Sequence, residues 1–162
     1  MKRFAVALVL AALPFAASAS PQLASDWGIK AGDLREETAN LIAAIDASGK
    51  ADISDDYEIE IGRFAMTATR LGHWIDGNEG PSDLGCIFRG MAEEGEVQLD
   101  ALSGADSTRA KRQSLVRLAT MFSDAEAIAV AAQYANRHDG PAAELDAVSC
   151  PVSADAARAA LK

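Results

Sequence analysis

Residues 54–76, SDDYEIEIGRFAMTATRLGHWID, decide the fold of this chain. Their core-forming residues recur at spacings of four and three, at Tyr57, Ile61, Phe64, Ala68, Leu71 and Ile75. This spacing predicts an α-helix with one narrow apolar seam, of the kind that packs along neighbouring helices at a shallow angle. Ser54 is expected to cap this helix, and Asp55 and Asp56 suit the positive end of its dipole.

The residues before this helix predict a loose stretch and a first helix. Residues 20–32 mix Ser, Pro, Gln and Gly, so we expect a loose N-terminal segment from which Trp27 docks on the bundle. Residues 33–48 place apolar side chains on one helical face, with Asp33 as the N-cap in capping-box spacing. Gly49 supplies the C-terminal stop of this first helix.

Two long helices and a short one are expected after residue 80. Residues 83–103 form the third helix, capped by Ser82. Residues 107–137 form the fourth, and a shift of its apolar register near Ser123 predicts a kink or a division into two helices. A short C-terminal helix ends at Leu161. The expected fold is therefore an all-α antiparallel bundle of about four main helices plus this short helix.

The N-terminus has the pattern of a cleaved signal peptide. Lys2 and Arg3 precede a ten-residue apolar run, and residues 17–19, Ala-Ser-Ala, supply the small residues that a signal peptidase recognises. The run is shorter than the ~20 residues that a membrane-spanning helix needs. We therefore predict a signal peptide at 1–19 and one helical domain at 33–162, located in the periplasm or, alternatively, secreted to the outside.

The charge balance argues against nucleic acid as a partner. The chain has 162 residues, with 15 Lys and Arg against 24 Asp and Glu, for a formal net charge of −9. Removal of 1–19 leaves 13 basic residues against the same 24 acidic ones, which makes the exported chain still more negative, at −11. Such a charge opposes phosphate backbones and anionic membrane surfaces.

The two cysteines, Cys86 and Cys150, predict one disulfide bond. An even count in an exported chain favours pairing, and disulfides persist in oxidising compartments. Closing a loop of this length is expected to stabilise the fold by roughly 4 kcal/mol in chain-entropy models. The alternative is that Cys86 is a reactive thiol.

One histidine, His73, is the candidate cofactor ligand. It lies on one line of the second helix with Met66 and Ile59, opposite the apolar seam. Histidine and methionine ligate haem iron in helical proteins, but these two lie about 10 Å apart along one helix. A second ligand would therefore have to come from Met91, Met121 or His138. The alternative interpretation is a second packing stripe formed by Ile59, Met66 and His73.

Opposite charges face each other across the expected turn between the third and fourth helices. The acidic residues are Glu93, Glu94, Glu96 and Asp100, and the basic residues are Arg109, Lys111, Arg112 and Arg117. In an antiparallel pair they predict a surface ion-pair network, each pair contributing about 0–1 kcal/mol. The alternative is a basic patch that docks an acidic partner.

The catalytic motifs that a sequence can reveal are missing. The chain has two histidines and no Gly-x-Ser-x-Gly elbow, Cys-x-x-Cys pair, phosphate-binding loop or His-Glu-x-x-His motif. We therefore expect a small exported helical protein that is not an enzyme, needs no cofactor or metal, and acts as a binding or interaction module for a protein or small molecule. The alternative is a non-covalent haem- or metal-binding bundle that uses His73.

Overall fold

In the part of the chain that the structure describes, the protein is an all-α bundle of four helices. The computed structural model describes residues 21–78 and 80–134. Its helices, in chain order, are α1 (Pro21–Ser48), α2 (Asp55–Gly77), α3 (Ser82–Ser103) and α4 (Thr108–Tyr134). No strand occurs within these ranges. The predicted all-α class and the four main helices are therefore confirmed.

Each helix packs against the helices that come before and after it in the bundle. The most extensive contacts join α1 to α4 and α2 to α3, and smaller ones join α1 to α2 and α3 to α4. Trp27 lies beside Phe64 and Thr38 lies beside Tyr57, so α1 and α2 run in opposite directions. Their connections are short, as in antiparallel bundles.

The seam predicted for α2 is the buried side of that helix. All six seam residues are at most 1% exposed. Ser54 caps the helix as expected, because its side-chain oxygen accepts a hydrogen bond of 3.1 Å from the backbone N–H of Tyr57. Burial of one continuous seam fixes the side of α2 that faces the core, and with it the side that faces solvent.

The start of α1 corrects the expectation of a loose segment at 20–32. Residues 21–32 are helical, and Asp33, the expected N-cap, is an exposed residue inside α1. Pro21 suits the first turn of a helix because it has no N–H to leave unpaired. The buried seam then begins with Ala24, Trp27 and Ala31, of which only Trp27 is large. Gly49 has φ +74° and ends the helix as predicted.

The start of α3 and the course of α4 also differ from expectation. Pro81 occupies the N-cap of α3, so the prediction that Ser82 caps this helix is wrong. The helix α4 is continuous through Ser123, with no division into two. Ala125 and Ala129 are buried there. These small residues let α4 keep one face on the core where the large apolar residues change register.

A cluster of four aromatic rings in the core takes one ring from each helix. The ring centroids of Trp27 and Phe64 lie 4.6 Å apart in a stacked pair. Phe88 meets Trp27 edge-on at 5.1 Å, and Phe122 meets Phe64 edge-on at 5.0 Å. Such pairs contribute about 0.5–1.5 kcal/mol beyond the area they bury, so this cluster ties all four helices together.

Several predicted features lie outside the described residues: the signal peptide at 1–19, the short C-terminal helix, His138 and Cys150. The boundaries of the single domain therefore stay a prediction. Among the helices that the structure describes, none has both the length and the apolar content that crossing a membrane requires.

Candidate binding surface

The solvent side of α2 carries an unusual mixture of apolar and basic side chains. Its five members recur at spacings of four and three and are all exposed: Ile59, Arg63, Met66, Arg70 and His73. We call this set the outer face of α2. Ile59 is 49% exposed and Met66 is 60% exposed. Within the described residues no helix covers this side of α2, so the interpretation of Ile59, Met66 and His73 as a second packing stripe gains no support there.

The placement of His73 and Met66 bears on the predicted cofactor site. Both side chains point to solvent on the outer face of α2, whereas Met91 and Met121 are buried in the core. The structure therefore brings neither of these methionines to His73 as a second ligand. Within 21–78 and 80–134 no group of three or more His, Cys, Asp or Glu side chains could hold a metal ion. Haem or metal binding through His73 stays a prediction.

The basic residues of the outer face of α2 differ in their partners. Arg63 donates to Glu60 at 2.5 Å, and Lys30 of α1 lies 2.9 Å from the same carboxylate. Hydrogen bonds from Lys30 and then Arg63 lower the pKa of Glu60. Arg70 and His73 form no hydrogen bond or ion pair with any described residue. Their polar groups are thus available to a partner.

The neighbouring helix α3 exposes the opposite charge. Glu93, Glu96 and Asp100 point to solvent together with Val97, which is 51% exposed. We call these four residues the outer face of α3. Within the described part of the chain, none of the three carboxylates has an ion-pair partner. The outer face of α3 therefore combines an exposed apolar side chain with uncompensated negative charge.

The expected ion-pair network between α3 and α4 forms only in part. Arg117 donates from Nε to Glu94 at 2.8 Å, which confirms one pair. Arg112 instead binds Asp46 of α1 with two hydrogen bonds of 2.7 and 2.9 Å, which lower the pKa of Asp46. Antiparallel packing of α1 on α4 brings Asp46 closer to Arg112 than any acid of α3, which sequence spacing did not show.

An open groove joins the two outer faces. It encloses about 410 Å³ between α2 and α3, and its walls are formed by Asp55, Glu58, Ile59, Gly62, Leu99, Asp100 and Ser103. Ile59 belongs to the outer face of α2, and Asp100 belongs to that of α3. A Cβ atom added to Gly62 would meet nothing within 4 Å. The absence of a side chain at Gly62 thus leaves the groove open between α2 and α3, with acidic side chains from both helices on its walls.

Close packing at the other end of the helix pair holds the two faces in place. A Cβ on Gly72 would lie 3.0 Å from the carbonyl oxygen of Gly85, and a Cβ on Gly85 would collide with Asp76. Asp76 also accepts a hydrogen bond from Arg89. The backbones of α2 and α3 approach closely here because both residues at the crossing are glycines.

Cys86 lies near the start of α3 and is half-buried. Its predicted partner, Cys150, is outside the described residues. The alternative assignment of Cys86 as a reactive thiol gains no support, because the described residues include no free cysteine.

Sequence reasoning singled out His73, Met66 and the acidic residues of α3, but it missed the exposed Val97 beside those acids, and it missed the groove. Val97 lies on the opposite side of α3 from the predicted core residues. Its helical spacing from those residues was therefore the signal that could have predicted its exposure. The groove had no such signal, because it depends on how closely α2 and α3 approach. Comparisons with family models, with curated proteins and with solved structures find no match to this chain.

Proposed function

We propose that this protein is a non-catalytic interaction module that binds an acidic helical segment of a protein through the outer face of α2. One observation carries the proposal. Two large apolar side chains, Ile59 and Met66, are about half exposed on the same stripe as Arg70, which lacks an ion-pair partner in the described part of the chain. Apolar contacts at the centre with charged groups beside them are typical of protein interfaces.

The side chains also indicate the chemistry of the partner. Methionine is flexible and polarizable, and it adapts to partner surfaces of different shape. Methionine and arginine are both enriched at protein interfaces. A helix that presents apolar residues flanked by carboxylates would cover Ile59 and Met66 while its acidic groups pair with Arg70 and accept a hydrogen bond from the imidazole N–H of His73.

Binding to a designed peptide tests this function. The probe is a labelled 21-residue helical peptide with one leucine stripe flanked by glutamates, and its control has lysine in place of every glutamate. We expect the acidic peptide to bind and salt to weaken it, as measured by fluorescence anisotropy. Met66→Glu and Arg70→Glu should each raise the Kd at least tenfold.

Two variants on α4 provide matched controls. Val130 and Arg109 are exposed on that helix, and Val130→Glu and Arg109→Glu should leave the Kd unchanged. Equal binding of the acidic and the lysine peptide would overturn the proposal. So would no binding of the acidic peptide at 100 μM, or an equal loss in the α4 controls.

The proposal includes export and a Cys86–Cys150 disulfide. The geometry of the chain allows the bond, because α3 and α4 are antiparallel and Tyr134 ends α4 at the end of the bundle where α3 begins. The segment from residue 135 to Cys150 can span up to about 50 Å at ~3.3 Å per residue. That reach is ample for a turn around one end of the bundle.

The haem- or metal-binding alternative has no observation in its favour among the described residues. Haem or metal binding through His73 can nevertheless be tested directly. A Soret band in protein purified from its native host, lost in His73→Ala, would support that alternative and would count against a purely protein-binding role for the outer face of α2.

A further inference from the structure

We propose that the acidic helix recognised by the outer face of α2 is α3 of a second copy of this chain. The two copies would form a symmetric dimer in which α2 of each packs on α3 of the other. This inference rests on the proposed function, because it names the partner of the same surface. Its three supports are charge complementarity, the continuity of the two faces, and their area.

Charge complementarity between the two outer faces is the first support. Arg63, Arg70 and His73 lie on one face, and Glu93, Glu96 and Asp100 lie on the other. Contact of α2 with α2 would place arginines against arginines, and contact of α3 with α3 would place carboxylates together. Of these three pairings of the two outer faces, the crossed one brings opposite charges together, and like charges across an interface are strongly unfavourable.

The net charge of the chain makes this local complementarity necessary. A formal net charge of −9 repels two copies at long range. Among the described residues, the outer face of α2 is where exposed basic and large apolar side chains share one stripe beside the groove. The approach of a second copy is therefore favoured at this face more than over the acidic surface as a whole.

Continuity of the two faces is the second support. Ile59 and Asp100 line the same groove, so α2 and α3 present one surface rather than two separate ones. A two-fold axis through this surface would repeat every contact, since an isologous interface uses the same patch on both subunits. Met66 lies about one helical turn from Gly62, and the axis would place Met66 of each copy over the open groove of the other.

The area is the third support. A helix of 22 residues is about 33 Å long, and two packed helices are about 20 Å wide. The shared surface of α2 and α3 is then roughly 660 Å², close to the ~800 Å² per partner of a stable interface. One helix alone would offer about half of this area. The surface formed by α2 and α3 together is therefore better suited to a stable dimer than either helix alone.

Sedimentation of the full chain tests the dimer. Between 1 and 200 μM we expect a concentration-dependent change from monomer to dimer, weakened by sodium chloride. Met66→Glu should raise the dimer Kd at least tenfold, and the matched Val130→Glu on α4 should not change it. All the substituted residues are exposed, and circular dichroism checks that each variant is folded.

A charge exchange gives the decisive result. The first variant carries Arg63→Glu and Arg70→Glu, and the second carries Glu93→Arg and Glu96→Arg. Each alone should be monomeric, because like charges then meet at both contacts of the dimer. Their mixture should form a heterodimer, because both contacts again pair opposite charges.

Other outcomes overturn the inference. A monomer at all concentrations removes the dimer but leaves the acidic-peptide experiment as the separate test of the proposed function. A dimer insensitive to the charge exchange removes this interface. A dimer lost instead in Glu36→Lys with Glu37→Lys, on the exposed side of α1, places the acidic partner surface on α1 and contradicts the role of α3.

Discussion

Trp27 and Phe64 are joined twice across the contact between α1 and α2. The Trp27 indole N–H donates to the backbone carbonyl oxygen of Phe64 at 3.1 Å, and the two rings stack with centroids 4.6 Å apart. Trp27 is 2% exposed and Phe64 is 1% exposed. One side chain thus satisfies its polar atom and fills the core with its ring, which anchors the half of α1 that the sequence predicted to be loose.

Removal of the Trp27 ring should destabilise the fold severely. Trp27→Ala is expected to lower the free energy of unfolding by about 3–5 kcal/mol, the usual cost of a large aromatic side chain lost from a core. Trp27→Phe should cost less, because a ring remains while the hydrogen bond to Phe64 is lost. Urea unfolding followed by circular dichroism measures both. A loss below 1 kcal/mol in Trp27→Ala would show that α1 does not need this anchor.

Two glycines should respond oppositely to the same substitution. A Cβ on Gly28 would lie 2.6 Å from the Cβ of Ala129, so Gly28→Ala must push α1 away from α4 and should cost about 1–3 kcal/mol. A Cβ on Gly62 meets nothing within 4 Å, so Gly62→Ala should stabilise α2 by about 0.5–1 kcal/mol. Thermal and urea unfolding compare the two variants.

The companion variant Gly28→Ala with Ala129→Gly separates crowding from helix propensity. Removal of the Ala129 methyl group should recover part of the stability lost in Gly28→Ala. If Gly28→Ala is neutral, or if the second substitution makes it worse, the close approach of α1 and α4 at this point is contradicted.

The sequence was sufficient for α2 because its seam consists mainly of large residues. Tyr57, Ile61 and Phe64 start a helical period that continues through Ala68, Leu71 and Ile75, which is much longer than the strand-like alternation of residues 57–61. In the first half of α1 the seam has one large residue, Trp27, between Ala24 and Ala31, which pack closely and carry almost no hydrophobic signal. In α4 the buried alanines Ala125 and Ala129 likewise carry little hydrophobic signal, so the sequence did not show that this helix continues through Ser123. A sequence pattern thus finds helices whose seams are bulky and underestimates helices whose seams are made of alanine.

The candidate site was harder to predict because α2 has two apolar stripes. Ile59 and Met66 repeat at the helical period as faithfully as the seam does. Which stripe is buried depends on where the other helices lie, and a four-helix bundle covers only the inner side of each helix. The prediction of His73 and Met66 as cofactor ligands stays a prediction, and the exposure of both side chains became visible only with the fold.

The proposed disulfide and export predict a definite mass. Protein collected after export should begin near Ser20 and should weigh two hydrogens less than its reduced form. Cys86→Ser should lower the free energy of unfolding by several kcal/mol, because loss of a native disulfide typically costs 2–5 kcal/mol. Reduced wild-type protein should match this variant. Free alkylation of Cys86 without reductant would show that the link is absent.

Alkaline pH should destabilise the fold through Tyr57. Its hydroxyl is buried 2.7 Å from Oγ1 of Thr38, and burial raises its pKa to about 12 from the ordinary value near 10. The unfolded chain then loses the phenolic proton at lower pH than the folded chain does. The stabilisation is fully present below pH 10 and is lost as the pH rises from 10 towards 12.

The expected loss of unfolding free energy at alkaline pH and its control variant, Tyr57→Phe, both follow from the buried Tyr57 hydroxyl. A difference of this size in pKa corresponds to at most about 3 kcal/mol of unfolding free energy across that interval. Tyr57→Phe keeps the ring and leaves Thr38 bonded to the carbonyl oxygen of Leu34, so its stability should lack this part of the alkaline decline. Urea unfolding at pH 9, 10 and 11 compares the two proteins. Parallel declines in both would mean that Tyr57 ionises as easily in the folded chain as in the unfolded one.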